Sequence, residues 1–259
     1  MSSDFWAERV RRHGHTGWSD PATYCYDQRL RLKAIAQTVL AHSSEASPAR
    51  RASALDFGCG VGDFCALLAP HFEVVTGYDT AAEVLVRARA HNAAPNIRYE
   101  NRLEMALDRR HDLILGVTVL QHVVSDAALQ ALLVRLAAAL APGGRVVVME
   151  TLAALESDAG YLKRRTLGQM VSLFDAAGLA LVARHGFHHP TECPTPTYAR
   201  YRARRSVSWL GRLASLGMPG TRAMLRRIAW PLADGDADAL GHAASPTQIL
   251  VFAGRGALR

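Results

Sequence analysis

The chain has 259 residues, 49% of them hydrophobic and 20% charged, a balance that excludes wholesale disorder and suits one large α/β domain with additions. Lys33 and Lys163 are the only lysines among 30 basic residues, and the formal net charge is +7. The first 18 residues are charged throughout and hold no apolar signal core; the run 113–124 is too short to cross a bilayer and contains Gln121 and His122. Cys25, Cys59, Cys65 and Cys193 form no C-x-x-C pair and read as reduced thiols, so the expectation is a cytoplasmic protein with no transmembrane segment.

In chain order, residues 1–52 read as a helical segment ending in a polar linker at 43–51. The stretch 53–58 (SALDFG) reads as a strand, followed by a helix over 61–69 that breaks at Pro70. A second strand is expected at 72–78, a helix at 81–92 and a short strand at 97–100. Runs rich in β-branched residues predict strands at 112–119 and 145–150, with a helix over 126–141 between them and a sharp turn at Pro142-Gly143-Gly144. A helix over 166–177 and a strand at 179–185 follow. The region 188–245 is too long for a plain connection and is expected to carry structure of its own before a last strand at 247–253. Apolar runs alternating with helices predict a mostly parallel sheet covered on both faces.

The most informative stretch is Asp56-Phe57-Gly58-Cys59-Gly60-Val61-Gly62-Asp63, at the end of the first strand. Its glycines permit a tight turn and close backbone approach to a ligand. A dinucleotide fingerprint would want glycine at Asp63, and no phosphate-binding G-x-x-x-x-G-K-[ST] loop is present. With LDFGCGVGDF (55–64), VVTGYD (74–79), DLILGVTVLQHV (112–123) and LAPGGRVVVME (140–150) in order, the chain resembles the class I S-adenosylmethionine-dependent methyltransferases of small-molecule type.

The resemblance covers residues 53–187 and implies a Rossmann-like seven-stranded sheet, mostly parallel, with 247–253 antiparallel. Residues 1–52 are then an N-terminal lid segment, 188–245 a helical insertion that covers substrate, and 246–259 the last strand and tail. The implied cofactor is S-adenosyl-L-methionine, leaving as S-adenosyl-L-homocysteine. Gly58, Cys59 and Gly60 would make room for its methionine portion, and Asp56 would order the turn or reach the amino group. Asp79, with Thr80 beside it, would accept from both ribose hydroxyls, because a carboxylate offers two oxygens to a vicinal diol; its competing role is to cap the following helix. Glu104, ahead of Asn101, is the candidate for the adenine, and Val117 would touch the cofactor through its backbone.

Methyl transfer needs an in-line approach and exclusion of water, and needs a base only when the nucleophile is protonated. His122 is the candidate base, against a competing role in ordering its loop; Glu150 is a second candidate and Gln121 a polar wall. In the N-terminal segment Trp18, Tyr24, Tyr26 and Arg31 are candidates for substrate contact or a lid, against a purely packing role. His185, His188, His189 and Cys193 match no standard ligand spacing, and no metal is expected. Residues 187–259 hold ten arginines against four acids, and 198–230 hold eight and none, interleaved with Tyr198, Tyr201, Trp209 and Trp230. The leading reading of that segment is a helical insertion with solvated arginines, some paired with acids elsewhere; the others are an interfacial lid over a greasy or anionic substrate, an RNA surface of an RNA methyltransferase, or the partner surface of a catalytically silent methyltransferase-like module. A small acidic substrate is favoured over RNA, with no nucleic acid expected as partner.

Overall fold

Strands and helices alternate along the chain of the computed structural model, which describes residues 3–40, 51–158, 160–241 and 244–255. Two helices, α1 (Ser3–His13) and α2 (Pro21–Leu40), precede β1 (Arg51–Phe57), α3 (Asp63–Leu68), β2 (Phe72–Tyr78), α4 (Ala82–His91) and β3 (Ile97–Glu100). Then come α5 (Leu103–Ala106), β4 (His111–Val117), α6 (Asp126–Ala138) and β5 (Leu140–Thr151). A small hairpin of β6 (Ser157–Asp158) and β7 (Lys163–Arg164), unforeseen in the sequence, leads to α7 (Leu167–Ala176) and β8 (Leu179–Gly186). The insertion folds as α8 (Pro196–Arg202), α9 (Arg205–Ser215) and α10 (Thr221–Asp234), and β9 (Thr247–Gly254) closes the sheet. The expected linker at 43–51 lies, up to residue 50, outside the described residues.

The sheet order is β3-β2-β1-β4-β5-β9-β8, with β9 antiparallel to both neighbours and every other pairing parallel. This is the expected architecture. Because β8 and β5 both run against β9, their C-terminal ends share one rim with those of β1, β2 and β4. Alternation along each strand divides the apolar side chains between two cores. Ala54, Val147, Met149, Ile249 and Val251 face α2 and α3, whereas Leu55, Val146, Val148, Leu250 and Phe252 face α6 and α7.

Local chemistry sets the helix starts on the second face. Ser125 accepts from Ala128 N at 3.2 Å, and Thr166 and Gln169 form a reciprocal capping box. The turn expected at Pro142-Gly143-Gly144 is instead a bulge inside β5. Pairing steps from His111↔Leu140 to Leu113↔Arg145, and His111 N donates to Ala139 O, so the ladder starts before the glycines. The insertion packs on the outside of α2: Val207, Leu210, Ala214, Leu225, Ala229 and Ala233 join the core that α2 shares with the sheet. It therefore buttresses the N-terminal segment.

Candidate active site

At the rim, β1 turns into α3 through Gly58, Gly60 and Gly62, all at positive φ. A Cβ on Gly58 would lie 2.4 Å from Val119 Cγ2, and one on Gly60 would lie 2.6 Å from Thr16 Oγ1. The loop after β4 and the 14–18 turn thus both close directly onto this loop, and no larger residue fits at either glycine. Asp79, 9% exposed at the end of β2, accepts from Gly60 N at 3.1 Å and from Ala81 N at 3.0 Å. The cap-like bond to Ala81 and a ligand-facing role are compatible, since each carboxylate oxygen keeps a second lone pair. Burial raises the pKa of Asp79, against the two N–H bonds that lower it.

Asp56 is fully buried under the loop and takes a bond from Cys65 Sγ at 3.3 Å, which ties the turn to α3; burial raises its carboxyl to about 7. Cys59 is buried beside it with its thiol against Gly60 O. Thr80 is exposed and Val117 half-buried at the strand end. Glu104, exposed on α5 just past the end of β3, pairs with Arg135 at 3.0 Å.

After β4 the backbone enters an uncommon conformation. Thr118 has φ 51, a left-handed geometry that costs a non-glycine residue about 1–3 kcal/mol. Glu150 holds the turn that follows. Its buried carboxylate accepts from Val119 N (3.0 Å), Leu120 N (2.8 Å) and Gln121 N (3.3 Å). Burial raises its carboxyl to about 7 against those three donors. This corrects the expectation of Glu150 as a base. With three N–H bonds made, it is the anchor of the 118–122 turn.

That anchor presents Gln121 and His122. The His122 Nδ1 lies 3.3 Å from Tyr161 O; the carbonyl can only accept, so the proton sits on Nδ1 and the lone pair on Nε2. The Gln121 side-chain nitrogen lies 3.5 Å from that Nε2, and Trp6 packs edge-on at 5.0 Å. Burial, and then the charge of Arg9, lower the His122 pKa, against the Tyr161 carbonyl, which raises it.

The β8 end of the rim holds a second constellation. Asp27 Oδ2 accepts from Trp18 Nε1 at 2.7 Å and from Arg31 Nε at 2.5 Å. The other oxygen, Oδ1, is buried without a hydrogen-bond partner, and so is His188 Nε2, 3.9 Å away. Thr195 N donates to His188 Nδ1 at 3.1 Å, so the neutral ring carries its proton on Nε2. Burial first, and Arg31 among its neighbours, drop the His188 pKa to about 4 against Asp27 and Asp236, so no ion pair forms with Asp27 at neutral pH. A donor and an acceptor therefore face each other across a gap too long for a direct bond.

The structure brings Trp18 and Arg31 together here, with Asp27 and His188, which the sequence did not single out as a pair. Asp27 was readable as the i−4 partner of Arg31 on a helix; His188 stood out only within the 185–193 histidine and cysteine cluster, with nothing local to tie it to Asp27. Tyr24 lies behind the glycine loop, donating to Asp63 at 3.2 Å. Tyr26 is not at the rim. It is fully buried beside Tyr198 and Tyr201, donating to Asp236 at 2.7 Å, and so pins α2 to the insertion. His189 pairs with Cys193 in a backbone bridge, and its ring meets Trp18 edge-on.

A glycine loop after β1, an acid after β2 and a polar turn after β4, on this strand order, define the S-adenosylmethionine-dependent methyltransferase class. The family model described as a methyltransferase domain matches residues 26–189, and the chain belongs to that family. It is 33% identical over 115 residues to a dTDP-3-amino-3,6-dideoxy-alpha-D-glucopyranose N,N-dimethyltransferase of Streptomyces fradiae, covering 44% of this chain and 43% of that one. It is 31% identical over 139 residues to a ubiquinone biosynthesis O-methyltransferase of Xylella fastidiosa, covering 51% and 54%. The chain thus spans about half the length of the curated relatives it matches. Among solved structures, an S-adenosylmethionine-dependent methyltransferase from Mesorhizobium loti shares the fold at TM-score 0.50 and 20% identity, over 85% of this chain and 99% of that one. A methyltransferase from Galdieria sulphuraria does so at TM-score 0.54 and 18% identity, over 86% and 85%. Among the described residues no helix is long and apolar enough to cross a membrane.

Proposed function

We propose that this protein transfers a methyl group from S-adenosylmethionine to a small-molecule acceptor. The observation that carries the reading is the Asp79 carboxylate bonded to the Gly60 N–H, which joins the ribose and methionine ends of one binding loop. The residues fit the cofactor: the positive φ of Gly58 and Gly60 turns the loop tightly so that its backbone can approach a ligand, and Asp79 keeps lone pairs for two ribose hydroxyls. When bound, the cofactor supplies a methyl carbon on a sulfonium, open to in-line displacement by an acceptor lone pair.

The protein's tasks are placement, water exclusion and proton removal. Thr16 and Trp18 belong to the turn that closes on the glycine loop, and the touching of Thr16 and Gly60 makes that turn the gate through which the cofactor enters. Trp6 and Trp18 supply apolar walls on either side of the rim. The neutral His122 Nε2 is the group able to take a proton from a hydroxyl or ammonium acceptor. The gap between Asp27 Oδ1 and His188 Nε2 suits a second acceptor hydroxyl, which would donate to the carboxylate and accept from the imidazole.

A small acceptor is favoured over RNA because two of the insertion's arginines are committed within the protein. Arg222 donates to His13 O, and Arg202 pairs with Asp20 at 3.0 Å. The named relatives are an N- and an O-methyltransferase, so both nucleophiles belong in the test. Incubation with methyl-labelled S-adenosylmethionine and a panel of hydroxylated amines and phenols should label at least one. Label appearing in bulk RNA and in none of the panel would contradict the proposal.

A further inference from the structure

Behind the glycine loop, between α2, α4 and α10, lies a cavity of about 370 Å³ whose lining includes Gly14, Asp63, Arg87, Arg222 and Arg226. Three guanidinium groups face it and one carboxylate. That carboxylate, Asp63, is already bonded to Tyr24, Gln28 and Asn92. Arg222 Nη1 and Arg87 Nη2 lie 3.0 and 3.1 Å from the same point, where Gly14 would carry a Cβ, so the two cations are no more than about 6 Å apart. Neighbouring Arg29 and Arg202 are neutralised by Asp234 and Asp20, but among the described residues Arg87, Arg222 and Arg226 have no ion-pair partner.

Such convergence is unfavourable alone. Arg222 and Arg226 are spaced i, i+4 on α10, where like charges destabilise a helix by a few tenths of a kcal/mol. Arg87 and His91 repeat the spacing on α4. An oxyanion answers this convergence, because it accepts from several guanidinium forks at once.

We propose that this cavity binds the phosphate or diphosphate group of a small molecule, apart from the methyl-transfer rim. Enclosure between three helices favours a compact anion over a nucleic-acid backbone. Arg87 Nε donates to Gly14 O at 2.9 Å and Arg222 to His13 O, so the arms that would hold the anion also hold the turn leading to Thr16 over Gly60. An anion here would firm the closed position of that turn. Two of the insertion's eight arginines then have a ligand.

Titration calorimetry of the full chain with inorganic pyrophosphate at fixed ionic strength tests the site. The expected result is saturable one-to-one binding, weakened at least tenfold by Arg87→Gln or Arg222→Gln and severalfold by Arg226→Gln. Arg226 holds neither turn carbonyl, so its variant stays informative if the others loosen the turn. Arg212→Gln, on α9, should change nothing. Uridine diphosphate and inorganic phosphate distinguish the sources: tighter binding of the nucleotide points to a phosphorylated metabolite, and comparable binding of all three to the free anion. S-adenosylhomocysteine titrated into the same samples separates failure of this site from failure of the cofactor site. Absence of saturable pyrophosphate binding, binding indifferent to the three variants, competition with S-adenosylhomocysteine, or displacement by bulk RNA would each overturn the assignment.

Discussion

The β1–β2 side of the rim is made of backbone shape and one acid: Gly58 and Gly60 leave no room for a side chain, and Asp79 sits where the loop's own N–H meets it. The β5–β8 side is made of buried side chains from distant parts of the chain, with Trp18, Asp27 and Arg31 from the N-terminal segment against His188 beyond β8. The first side leaves little freedom of shape, whereas the second is made of separate side chains, and the 14–18 turn with Thr16 and Trp18 touches both.

The largest effect expected from breaking this division is on the cofactor side. Asp79→Ala removes two charge-assisted hydrogen bonds, of about 1.5–3 kcal/mol each, to the ribose. S-adenosylmethionine affinity should fall about 100-fold or more in calorimetry, and an unchanged affinity would remove Asp79 from the site. On the other side, His188→Asn keeps an acceptor for Thr195 N but deletes the Nε2 donor. The acceptor KM should rise about tenfold, as for one lost hydrogen bond, with cofactor affinity unchanged. Weaker cofactor binding instead would show that the two sides are not separable.

Between the two sides stands His122. His122→Ala should lower kcat by about 10²–10³-fold for a protonated nucleophile, with cofactor affinity kept. Burial lowers its pKa, so the ring is neutral at pH 7 and its loss of kcat/KM should appear only on the acid side. An acid limb unchanged in His122→Ala would leave His122 as a loop residue. A smaller effect concerns Glu150, whose folded pKa is raised from 4.5 to about 7. A raised carboxyl adds stability below its unfolded pKa and loses it as pH rises through the folded one. Thermal melts should show wild type losing ground to Glu150→Gln between about pH 4.5 and 7, with a constant gap above; a gap independent of pH would contradict the assigned burial.

The same contrast governs what could be read from the sequence. The loop glycines, Asp79 and the strand order are encoded in short stretches whose spacing carries the physics, as is the return of 247–253 as an antiparallel strand. The acceptor side is encoded by packing. Tyr26 looked like a neighbour of Trp18, yet the turn of α2 sends it into the core against Tyr201, while Asp27, one residue on, reaches Trp18. Glu150 looked like a free strand end because the N–H groups it satisfies belong to a turn some thirty residues away.

The most direct test of the account is a calorimetric titration of the wild-type chain with S-adenosylhomocysteine. One-to-one binding that is lost in Asp79→Ala is the predicted result. Absence of binding by the folded wild-type protein would contradict the assignment of the rim as a methyl-donor site.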